Sequence, residues 1–105
     1  LDAGEKVRGY EVDRRLKERF EQLGCAQYLM HRTGHNIGHR CHGIGANLDD
    51  YETHDDRCLL PGTMFSIEPG LYTDKYGVRL EYDVHITSEG ETKVYGPVQD
   101  EILVI

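Results

Sequence analysis

Gly77-Val-Arg-Leu-Glu-Tyr-Asp-Val-His-Ile86 alternates apolar and polar residues, and its reading decides the fold. Val78, Leu80, Tyr82, Val84 and Ile86 fall on one side of the run, and Arg79, Glu81, Asp83 and His85 on the other. An extended chain points successive side chains to opposite faces, so a period of two predicts a strand with one face buried. Upstream, Phe65 and Ile67 alternate with Met64, Ser66 and Glu68, between Pro61-Gly62 and Pro69-Gly70. Proline cannot donate to a ladder and Pro-Gly favours a turn, so a strand is expected here that stops at Pro69-Gly70. Downstream, Ser88-Glu-Gly-Glu91 reads as a turn, with short strands expected near 92–95 and 101–105. Residues 64–105 are thus read as mainly strands.

Ahead of the strands the period changes. Val12, Leu16, Phe20 and Leu23 make one apolar stripe at helical spacing, opposite Asp13, Arg14, Lys17, Glu18 and Glu21. Gly24 stands where a C-terminal cap would, so a helix is expected over 9–24. Gly34, Gly38, Gly43 and Gly45 lie within twelve residues, which argues for irregular backbone or strand rather than helix. Residues 46–63 are polar and acidic and read as a long loop. One amphipathic helix followed by mostly antiparallel strands is an α+β arrangement.

A chain of 105 residues makes one small domain or part of a larger one. Its net charge of −7 leaves no basic stripe to neutralise phosphates, which argues against a nucleic-acid partner and is compatible with cation binding. Cys25, Cys41 and Cys58 contain no CxxC pair and read as reduced thiols, which points to the cytoplasm. No apolar run is long enough to span a membrane, and none has the form of a signal peptide. The start at Leu1 rather than Met points to a partial chain.

Two groups of residues carry chemistry. His31, His35, His39 and His42 crowd into twelve positions. On a helix their spacing would resemble a zinc motif, but the glycines argue against that helix. Glu68 ends an apolar strand and Glu81 lies mid-strand between Arg79 and Asp83. Two strand-borne carboxylates with an imidazole form a donor set for Mn²⁺, Co²⁺, Zn²⁺ or Fe²⁺. The residues alone leave a solvated acidic face and a simple histidine-rich metal-binding domain open.

The strings His31-Arg-Thr-Gly-His35-Asn-Ile-Gly38, His42, Phe65-Ser-Ile-Glu68-Pro-Gly-Leu-Tyr72 and Gly77-Val-Arg-Leu-Glu81 occur in that order. Together they resemble the dinuclear metallo-aminopeptidases of the methionine-aminopeptidase/prolidase superfamily. Thr53-His-Asp-Asp-Arg57 adds a likeness to the Xaa-Pro dipeptidase and aminopeptidase branch. The resemblance implies the C-terminal half of a pita-bread fold with a curved sheet, so that residues 1–105 form one partial catalytic domain. It implies His35, Glu68 and Glu81 as metal ligands, with Glu81 bridging two ions and Glu68 also taking a proton from the attacking water. Mn²⁺ is the first expectation. It also implies His42 and His31 as catalytic and substrate-binding histidines, and Arg79 as the arginine that orients the metal site. His39, His54 and His85 match no ligand.

The family site also needs two aspartates. Asp2 and Asp13 reproduce their local spacing, but Asp13 falls on the charged side of the expected helix, so both are read as coincidence. The expected partners are therefore a peptide with proline second and either the missing N-terminal half or a second copy of the chain. The acidic loop Asn47 to Arg57 is expected to shape the substrate cleft. A non-catalytic pita-bread-like peptide-binding or interaction module is the alternative reading.

Overall fold

The apolar stripe that begins near Gly9 forms helix α1, Gly9–Gln22, in the computed structural model, which describes residues 6–102 and 104. A helix start leaves N–H groups without intrahelical partners. Here Gly9 and Tyr10 donate to the carbonyls of Arg57 and Asp55, at 3.1 and 2.9 Å. The Glu11 carboxylate accepts from the Arg8 N–H at 2.7 Å. The far end closes with Cys25 N–H donating to the Phe20 carbonyl and Gly24 N–H to that of Glu21, both at 3.0 Å. That pair of bonds needs a left-handed residue, and Gly24 supplies it at φ +78°. A 3-10 helix, Ala26–Tyr28, follows.

The remaining elements are β1 (Asn36–Ile37), β2 (Met64–Ile67), β3 (Gly70–Tyr72), β4 (Gly77–Arg79), β5 (Tyr82–Ile86) and β6 (Thr92–Tyr95). All pairings are antiparallel: a four-stranded sheet in the order β1-β2-β5-β6, and a separate β3-β4 pair. Leu48, Leu59, Phe65, Val84 and Ile86 form the buried core, with Val7, Val12, Ala46 and Ile67 packed against it. Burying each of these five side chains contributes about 1.5–3 kcal/mol. Two of the five core residues, Leu48 and Leu59, come from the 46–63 loop, which therefore packs despite its polarity.

The single strand expected over Val78–Ile86 is two. β4 and β5 are separated at Leu80 and Glu81, and β2 and β3 are separated at Glu68 and Pro69. The register nonetheless runs straight through: Ile67 pairs with Tyr82 and Gly70 with Arg79. Pro69 has no N–H to give the ladder, and only its carbonyl takes part, accepting from Leu80 N–H at 3.3 Å. The break also separates the apolar positions. Val84 and Ile86 are buried, while Val78 and Leu80 are 47% and 44% exposed. The strand expected near 101–105 is not formed at Glu101, Ile102 or Val104; Leu103 and Ile105 lie outside the described residues. Ile102 and Val104 are exposed and belong to no strand.

Candidate metal centre

Residues 33–36 lie along β2. Glu68 N–H donates to the Thr33 carbonyl at 2.6 Å, and Ser66 N–H to the His35 carbonyl at 2.9 Å. His35 N–H donates in turn to Ser66 Oγ at 3.0 Å. Gly34 makes this approach possible, since a Cβ there would stand 1.8 Å from the Ser66 carbonyl oxygen. The result places buried His35 beside Glu68.

The His35 ring is oriented by its neighbour. Nδ1 lies 3.0 Å from the Asn36 carbonyl oxygen. A carbonyl only accepts, so Nδ1 carries a proton, and whenever the ring is neutral Nε2 keeps its lone pair. Nε2 faces Glu68 Oε2 at 3.4 Å. Two acceptors turned toward each other repel unless a proton or cation lies between them. Nitrogen and oxygen ligands bound at about 2.0–2.2 Å stand roughly 3 Å apart on one ion, so the pair fits one edge of a metal centre.

Glu81 approaches from the other strand. The common register of the two ladders sets Glu68 opposite Glu81 across the interruption. Glu81 is half-exposed, and Arg79 Nη2 lies 3.8 Å from its Oε2. Among the described residues no group of three or more His, Cys, Asp or Glu side chains converges closely enough to hold a metal. His35 and Glu68 converge; Glu81 is in register with Glu68 and completes no three-residue group with them.

His42, exposed, stacks its ring on His35 with centroids 4.0 Å apart. His31 is held elsewhere, with Nδ1 2.8 Å from the Arg32 carbonyl oxygen and Nε2 2.8 Å from the Tyr72 hydroxyl. By the same tautomer argument the Tyr72 hydroxyl donates to Nε2. Sequence reasoning gave Tyr72 no role; the signal available was its place at the end of Glu68-Pro-Gly-Leu-Tyr72. His39 is exposed, His54 Nδ1 lies 2.7 Å from Asp50 Oδ1, and His85 lies beside Tyr95.

Asp13 requires a correction. The amphipathic pattern puts it on the charged side of the helix, yet it is buried. Its Oδ1 accepts from the Thr33 N–H at 3.0 Å and the Thr33 hydroxyl at 2.6 Å. Its Oδ2 accepts from the Asp50 N–H at 2.6 Å. Both oxygens are thus committed to protein donors. Asp2 lies outside the described residues. The acidic loop is fastened to the helix as well: Arg14 Nε donates to Asp50 Oδ2 at 2.8 Å. Within it, the Arg57 guanidinium holds the Asp55 carboxyl down to about 2, against the opposing effect of burial and with help from the Asn47 and Arg57 N–H groups. His54, foremost, and Arg14 hold Asp50 below the usual carboxylate range.

The sequence model of metallopeptidase family M24 matches residues 3–88. The chain belongs to metallopeptidase family M24. It is 36% identical over 90 residues to the probable dipeptidase PepE of Mycobacterium bovis, covering 84% of this chain and 23% of that protein. To the Xaa-Pro dipeptidase of Pyrococcus furiosus it is 32% identical over 85 residues, 80% of this chain and 23% of that one. Among solved structures, the Xaa-Pro dipeptidase from Bacillus anthracis superposes with a TM-score of 0.79 at 32% identity, over 95% of this chain and 27% of that one. The M24 chain spans about a quarter of the length of these relatives. The α+β arrangement is that of the C-terminal part of the pita-bread fold these peptidases share. No described helix is long and apolar enough to cross a membrane. Cys25, Cys41 and Cys58 are free.

Proposed function

We propose that residues 1–105 supply His35, Glu68 and Glu81 to the dinuclear centre of an M24 peptidase that removes the N-terminal residue ahead of proline. The observation that carries the proposal is the opposition of Glu68 and Glu81 across an interrupted register, with the free Nε2 of His35 at 3.4 Å. Directly opposed like charges destabilise a ladder, and a cation between them reverses the sign.

When bound, a divalent metal pair lowers the pKa of a water and stabilises charge on the scissile carbonyl. Mn²⁺ is the proposed metal, ahead of Co²⁺, Zn²⁺ and Fe²⁺. Glu68 then takes the proton from the attacking water, as a carboxylate within reach of that water can. His42 and His31 hydrogen-bond the peptide around the reacting carbonyl, and Arg79 orients Glu81. We assign the two aspartates of the centre to the N-terminal half of the domain or to a second copy, and not to Asp2 or Asp13. Free thiols suit a cytoplasmic location.

The experiment is hydrolysis of an Xaa-Pro dipeptide by the full-length protein with Mn²⁺, against Glu68→Gln. Mn²⁺-dependent cleavage abolished by Glu68→Gln is the expected result. Absence of cleavage with all four metals would favour a non-catalytic peptide-binding module. One observation stands on that side: no three ligand-type side chains converge among the described residues.

A further inference from the structure

We propose that Asp13 is a positioning residue for the His35–Glu68 pair, acting through Thr33; the inference rests on the functional reading just given.

A carboxylate in the middle of a helix is costly to bury unless donors replace water. Asp13 is buried, and its three donors are all neutral: the Thr33 N–H, the Thr33 hydroxyl and the Asp50 N–H. Among the described residues no Lys or Arg nitrogen lies within 4.0 Å of it. Two of its three bonds go to one residue, and that residue sits between the site histidines.

Thr33 is 1% exposed and has polar groups turned in two directions. Its N–H and hydroxyl point back to the helix, and its carbonyl accepts the Glu68 N–H at 2.6 Å. His35 follows two residues later on the same extended segment and bonds Ser66 through both its N–H and its carbonyl. The segment is also held at Gly34, whose N–H and carbonyl bond Leu48, but among the described residues the hydrogen bonds that join Thr33 to α1 are those to Asp13. A donor pair 3.4 Å apart tolerates little displacement before its two atoms no longer suit one ion. The helix therefore helps to set the height at which His35 meets Glu68, although among the described residues no helix residue hydrogen-bonds His35 Nε2 or Glu68 Oε2.

The hydroxyl carries part of this. Thr33→Val keeps the shape and the backbone N–H but removes one donor. Thr33→Ser keeps both donors. Asp13→Asn keeps one acceptor oxygen and turns an amide N–H₂ toward groups that themselves donate, so either Thr33 or Asp50 loses its acceptor.

The test uses the full-length protein and these three variants. It measures Mn²⁺ affinity by calorimetry, and Glu68 amide exchange by NMR in the metal-free form. Asp13→Asn and Thr33→Val are expected to bind Mn²⁺ about tenfold more weakly, as loss of an outer-shell partner typically does. Their Glu68 amides exchange faster, while Thr33→Ser behaves as wild type in both. Variants that melt earlier yet bind Mn²⁺ as wild type overturn the inference and leave Asp13 a purely structural residue. If Asp13→Asn does not fold, Thr33→Val decides the matter by the same two readouts. Wild-type protein that binds no Mn²⁺ overturns the functional reading and this inference with it; equal binding by wild type and variants overturns the inference alone.

Discussion

The register of two antiparallel ladders sets Glu68 opposite Glu81 across a two-residue gap. The gap has a chemical cause in Pro69, which offers the ladder a carbonyl but no N–H. It also takes Glu68 and Glu81 out of regular strand pairing.

That register makes the effect of Glu81→Gln depend on metal. Without metal, the substitution removes both a like charge opposite Glu68 and the Arg79 contact at 3.8 Å, so stability should change by no more than a few tenths of a kcal/mol. In Mn²⁺ the same substitution should lower stability relative to wild type, because less binding is coupled to folding. Urea unfolding in chelator and in Mn²⁺ checks both. An equal loss in chelator and in Mn²⁺ would contradict a metal role for Glu81.

The tautomer of His35 is a second consequence. With Nδ1 against the Asn36 carbonyl, the neutral ring should carry its proton on Nδ1. Nitrogen-15 shifts of the imidazole report this directly. A proton on Nε2 would mean that the lone pair does not face Glu68.

Gly34→Ala should be severely damaging. The new Cβ would meet the Ser66 carbonyl oxygen at 1.8 Å, and that oxygen belongs to the backbone of a central strand. The segment carrying His35 would have to leave β2, at a cost of about 3 kcal/mol or more. Thermal unfolding measures it; a loss within a few tenths of a kcal/mol would show that the strand can yield.

How much of this was legible depended on range along the chain. The helix declared itself through Val12, Leu16 and Phe20 and through Gly24, because stripe and cap are local signals. The strand at Tyr82–Ile86 was equally plain. The split at Leu80 was not, since Val78 and Leu80 continue the alternation although they do not reach the core. The burial of Asp13 was invisible for a different reason: its partners Thr33 and Asp50 lie 20 and 37 residues away. In the site, the family motifs named His35, Glu68 and Glu81, while Tyr72 and its bond to His31 emerged only in three dimensions.

Asp55 links stability to pH. Its folded carboxyl sits near 2, below the ordinary carboxylate value, chiefly through Arg57. A depressed folded pKa contributes stability that is complete above the unfolded value of about 3.9 and is lost as pH falls toward 2. Asp55→Asn should therefore cost about 2 kcal/mol near neutrality, with the difference from wild type shrinking between pH 4 and about 2. Urea midpoints across that range would check it; a difference independent of pH would assign the loss to packing.

The most direct measurement is Mn²⁺ titration of the 105-residue chain, alone and as His35→Ala and Glu68→Ala. Three ligands do not offset the repulsion between two close dications, so the chain should bind about one ion weakly. Either substitution should weaken that binding at least about tenfold. Equal Mn²⁺ binding by the wild-type chain and both variants would contradict the assignment of His35 and Glu68 as the metal-holding pair.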